Sequence, residues 1–157
     1  MRTTNWFAAA LAAILAMPGI AAAQLLAGPV QAEEPVVEGD VFYVSPNQTV
    51  NIEADLVDDR VVNLRVVPAV VSPEKTIVAK WETQDDGGVF LHVSNPFDKM
   101  LKFEMGMLVD GREHMVKTSS CPIVPNGAIF EMWPHPIRRI AIGRGRVLGK
   151  NAGHVCN

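Results

Sequence analysis

Cys121, Trp133 and His135 share one proline-rich stretch, SSCPIVPNGAIFEMWPHPI (119–137). A reduced cysteine near a histidine is the pairing from which a nucleophile is made, and thiolate or imidazole groups can also hold a metal. The chain has one other cysteine, Cys156, and the two lack metal-ligand spacing. In an oxidising compartment an even pair of this kind predicts a disulfide, which leaves Cys121 no thiolate to react. Closing a loop of about 35 residues stabilises a fold by roughly 4 kcal/mol in the chain-entropy picture. It would also hold down the tail GKNAGHVCN (149–157).

The second set with chemistry to offer is sulfur and imidazole. Met100, Met105, Met107, Met115 and Met132 cluster in sequence around His114 and His135. Thioethers and imidazoles together suit Cu(I), and Met105, Met115 and His135 are the ligands such a site would use. The competing role is packing. Met105 and Met107 fall on the same side of a strand as Leu101 and Phe103, where methionine fills gaps in a core. His114 and Met115 are sequence neighbours, so in a strand they point to opposite faces and cannot chelate together.

The third set is basic. Arg138, Arg139, Arg144, Arg146 and Lys150 follow one another with no acid after Glu131. On a C-terminal hairpin they would offer a patch to an anionic envelope component or an acidic protein face. The same cations would alternatively keep an edge strand from aggregating. Trp133, held between rigid prolines, is the aromatic that could anchor a protein partner.

Catalytic motifs are missing. There is no G-x-S-x-G elbow, no H-E-x-x-H and no glycine-rich phosphate loop. A hydrolase-like site could arise only in space, from His92, His114 or His135 with Asp110 or Glu113. The formal charge of −3 gives no global basic character for nucleic acid. The sequence is read as a non-enzyme without cofactor, with copper as the alternative.

These side chains must be positioned by strands. VFYVS (41–45), TVNIEADL (49–56), RVVNLRVVP (60–68), TIVAKWE (76–82), VFLHVSN (89–95), MLKFEMGML (100–108), REHMVKT (112–118) and AIFEMW (128–133) are β-branched, aromatic or alternating runs. IRRIAIG (137–143) then leads into the basic RGRVLGK (144–150). Asp58-Asp59, Asp85-Asp86-Gly87-Gly88, Asp110-Gly111 and Asn126-Gly127 separate them as turns. No amphipathic helix follows the leader. The pattern predicts an all-β, antiparallel β-sandwich of about seven to nine strands, with a closed barrel as the alternative.

Ahead of the strands, Arg2 and the apolar run WFAAALAAILA (6–16) form a signal peptide, broken by Pro18-Gly19 and ending at Ala21-Ala22-Ala23. Cleavage after residue 23, or alternatively after Ala32, leaves no transmembrane anchor and a mature chain on the order of 125 to 134 residues. Residues 24–39 are expected to be a flexible lead-in and 40–157 the sandwich domain. The location expected is periplasmic or secreted.

The stretch GVFLHVSNPFDKMLKFEM (88–105), a strand ending in Val-x-Asn, a short connection and a strand led by Leu-x-Phe, resembles the central strand pair of bacterial immunoglobulin-like domains. That resemblance implies an immunoglobulin-like sandwich serving in binding, assembly or display. The segment from Met115 to His135 also resembles periplasmic copper chaperones of the PCuAC type, which pair His and Met ligands on a β-sandwich; their closing methionine is replaced here by Pro136-Ile137. The resulting expectation is an exported binding or assembly module of the bacterial envelope. It would contact its partner through Trp133 and the arginine-rich hairpin.

Overall fold

The computed structural model describes residues 34–149, 152, 153 and 155–157. The signal peptide, most of the lead-in and Lys150 lie outside the described residues. The described chain is all-β, with ten antiparallel strands. They are β1 (Val37–Glu38), β2 (Val41–Val44), β3 (Thr49–Val57), β4 (Arg60–Val67) and β5 (Thr76–Thr83), then β6 (Val89–Ser94), β7 (Leu101–Val109), β8 (Val116–Thr118), β9 (Ala128–Trp133) and β10 (Ile137–Val147).

Hydrogen bonding arranges them in two sets. One runs β1-β2-β10-β7-β8 and the other β4-β3-β5-β6-β9, joined through the pairing of Arg146 in β10 with Arg60 in β4. Each strand alternates, and the inward residues of both sets meet in one core. Phe42, Phe103, Ile140 and Ile142 come from the first set, and Ile52, Ile77, Trp81 and Leu91 from the second. This is a β-sandwich-like arrangement, and the period-two pattern of the sequence is its cause. Val50, Ile52 and Ala54, expected on one side of β3, are all buried there.

The disulfide is formed between Cys121 and Cys156. It joins the β8–β9 connection to the C-terminal tail. Ser120 and Asn157 exchange main-chain hydrogen bonds beside it, at 3.3 and 3.5 Å. The ammonium of Lys102, buried on β7, donates to the Val155 carbonyl at 2.9 Å and to the Asn157 side chain. A bond of this kind belongs to an oxidising compartment. Among the described residues no helix is long and apolar enough to cross a membrane.

Three expectations change. The arginine-rich C-terminal segment is a single strand, not a hairpin: β10 bulges between Gly143 and Arg146, Arg144 adopts φ 49°, and the chain continues in the same direction. Nor is it an edge, because β2, β4 and β7 all pair with it. Gly143 and Gly145 in this strand serve close approach. A Cβ on Gly145 would lie 2.5 Å from the Phe103 ring and 2.7 Å from Val61, and one on Gly143 would lie 2.6 Å from the Asp40 carbonyl. Second, REHMVKT is a strand only at Val116–Thr118, because the Asp110-Gly111 turn continues through an exposed segment and Arg112 donates back to Val109. Third, Val37–Glu38, placed in the lead-in by sequence, pairs with β2.

Candidate functional site

The basic residues are dispersed by the strand that carries them. Arg138 donates to the Arg112 carbonyl and lies 3.9 Å from Asp110. Arg139 lies over the Tyr43 ring, 5.5 Å from its centroid. Arg144 pairs with Glu104 at 3.2 Å. Arg146 stands in cross-strand register with both Arg60 and Lys102, over a hollow of about 470 Å3 that also takes in Asp58 and Asp59. Acids are therefore interleaved with the arginines, and much of their charge is spent within the fold.

The sulfur and imidazole set is divided too. Met105 is buried in the core at 3% exposure, while Met115 is exposed; both line a hollow of about 490 Å3 floored by Gly106, Ala141 and Gly143. His135 lies in the β9–β10 connection and does not line it. His114 is in the exposed segment after Gly111, and His92 leans on the Phe130 ring with centroids 5.1 Å apart. Among the described residues no three His, Cys, Asp or Glu side chains converge as a metal site.

Strand β9 is different. It ends the order β4-β3-β5-β6-β9, so among the described residues one of its flanks has no strand partner. Alternation turns Ile129 into the core and leaves Phe130 and Met132 outward, 62% and 73% exposed. Phe90 on β6 stacks against Phe130, with centroids 5.4 Å apart and planes at 27°, so the apolar row is two strands wide. Glu131, the acid in this strand, accepts a hydrogen bond from the Cys121 main chain at 2.9 Å.

Trp133 closes the strand. It is half-buried against the core, and its indole N–H donates to Thr118 Oγ1 at 3.2 Å, tying β9 to β8 across the open side of the sandwich. With Met132, Val89 and Pro134 it walls an apolar pocket of about 330 Å3, rimmed by Asp86. The sequence pointed to Trp133 as an anchor, placed Met132 only in the sulfur set, and passed over Phe130. The alternation of Phe130 and Met132 with Ile129 was legible, whereas the open flank depends on strand order and was not.

Comparison of the chain with family models, with curated proteins and with solved structures finds no match.

Proposed function

We propose that the protein is an exported, non-catalytic assembly or binding module of the bacterial envelope, periplasmic or secreted, that makes its contact through β9 and Trp133. The observation that carries this reading is the apolar flank of β9 that no described strand covers, with Phe130 and Met132 exposed beside it. Sheet edges are normally blunted by charge, proline or a covering segment, because free main-chain groups beside apolar side chains invite another strand. Here the outward residues carry no charge, and the prolines, Pro125 and Pro134, lie outside the strand. Strand addition at an open edge is a recurrent mode of protein recognition, with affinity from the main chain and selectivity from alternate side chains. The leader-like N-terminus and the disulfide support the location. The arginines of β10 take a lesser part in this reading, since Arg138 and Arg144 already have acidic neighbours.

The test is photocrosslinking in cells that make the protein, with a photoreactive side chain at Met132 or, as control, at the exposed Val71. Adducts at position 132 and none at 71 are expected. Failure to form any adduct at 132 would sink the reading.

A further inference from the structure

The phase of the main chain along β9 can be derived. Asn95 N–H donates to the Gly127 carbonyl at 2.8 Å, continuing the register in which Ser94 faces Ala128. In an antiparallel ladder bonded and non-bonded pairs alternate, so Ile129, Glu131 and Trp133 direct their main-chain groups at β6. Ala128, Phe130 and Met132 direct theirs away. The other side of β6 agrees: Gln84 N–H donates to the Gly88 carbonyl at 2.8 Å, which commits Phe90 and His92 to β5. No main-chain segment among the described residues takes up the three outward residues of β9. The residues with free main-chain groups are thus the same ones whose side chains form the exposed row.

We propose that this edge is filled by β9 of a second copy, antiparallel about a two-fold axis passing beside Phe130. The inference rests on the reading of β9 as the contact surface and names its occupant. In the register centred on Phe130, Phe130 faces its own counterpart and Met132 faces Ala128, a long side chain opposite a short one. Three outward residues on each strand then give about six main-chain hydrogen bonds. Charge fits a copy as well. The outward row of β9 holds no ionisable residue, and the two-fold sets the Asp85-Asp86 turn of one protomer against the uncharged Asn126-Gly127 end of the other. Acidic turns therefore do not meet. Pro125 and Pro134 limit the pairing to the six residues Ala128–Trp133. An isologous contact of this kind consumes the edge on both partners, so it closes as a dimer instead of growing into a fibre.

The experiment is sedimentation equilibrium of the purified, disulfide-bonded protein over a concentration series. A dimer is expected. Phe130→Lys and Phe130→Pro should each give a monomer with the unfolding temperature of the fold retained, because the Phe130 N–H points away from β6 and proline there removes no bond within the sheet. Phe130→Cys should form an intermolecular disulfide, since bonded antiparallel pairs have Cα atoms about 5.5 Å apart, within disulfide reach. Val71→Cys should not. A wild-type protein that is monomeric throughout, or a dimer unmoved by both Phe130 substitutions, overturns self-pairing. If such a monomer still gives adducts at position 132 in cells, with another protein, the contact surface stands and only its occupant was wrong.

Discussion

At Tyr43 the fold visibly shifts the ionisation of a side chain. Its hydroxyl donates to the Glu38 carboxylate at 2.9 Å; that hydrogen bond, then burial, then the charge of Glu38 push the phenol above its ordinary value, and Arg139 opposes them. A raised pKa means that the folded state holds the proton more tightly. The contribution to stability is therefore complete below the pKa of the unfolded phenol and is lost as pH rises through the folded value. As the chain has a single tyrosine, phenolate absorbance reports this site alone. We expect titration above that of a free tyrosine, and a return toward it in Glu38→Gln; an identical midpoint in both proteins would refute the assignment. Other single residues show how spatial partners decide a role that sequence leaves open. Asn47-Gln48-Thr49 matches a glycosylation sequon, yet the Asn47 side chain accepts from Thr83 N–H at 2.9 Å and clamps the β2–β3 turn to the end of β5. Asn95, read as the end of a strand, is buried: its amide donates to the carbonyls of Lys99, Ile123 and Val124, and its oxygen accepts from Phe97. It thereby fixes the two connections that lead into β7 and β9. Nothing in the types or spacing of these residues announces such bonds.

Strands are the scale at which the sequence spoke most plainly. Asp58 and Asp59, at the β3–β4 turn, both have positive φ, 49° and 60°, the conformation of a type I′ hairpin turn. A residue with a Cβ is strained there by roughly 1 kcal/mol. Asp59→Gly should therefore stabilise the protein by up to about 1 kcal/mol in urea unfolding, because relief of that strain outweighs the extra freedom of glycine when unfolded. A destabilised variant would mean that the Asp59 side chain makes a contact that matters more. Alternation and turn residues made β2 to β7 and β9 legible to within a residue or so, since both are local properties. β10 was not, because a glycine in a strand and a glycine in a turn look alike; what separates them is the approach of Phe103, Val61 and Asp40 from elsewhere in the chain. The candidate site shared that difficulty. Phe130 and Met132 alternate visibly, but the open flank beside them is a fact of strand order.

For the molecule as a whole, the Cys121–Cys156 bridge is the staple on a tail that is otherwise held by a few bonds to Ser120 and Lys102. Replacing both cysteines with alanine should cost about 3 to 4 kcal/mol, the loop-closure entropy of the unfolded chain, measured by urea unfolding at neutral pH. A loss below about 1 kcal/mol would show that the unfolded chain already keeps these ends together. The charge on Lys102 makes the tail matter further, since an ammonium buried on β7 would have to find water once Val155 and Asn157 withdrew. The passage of β10 between the two sets has a different consequence. Because β7 runs along its whole length while β2 borders its middle and β4 touches its end, neither set of strands can loosen without disturbing the strand they hold in common. Exchange of the Ile140 and Ile142 amides with solvent is then expected only when the strands on both sides of β10 open together.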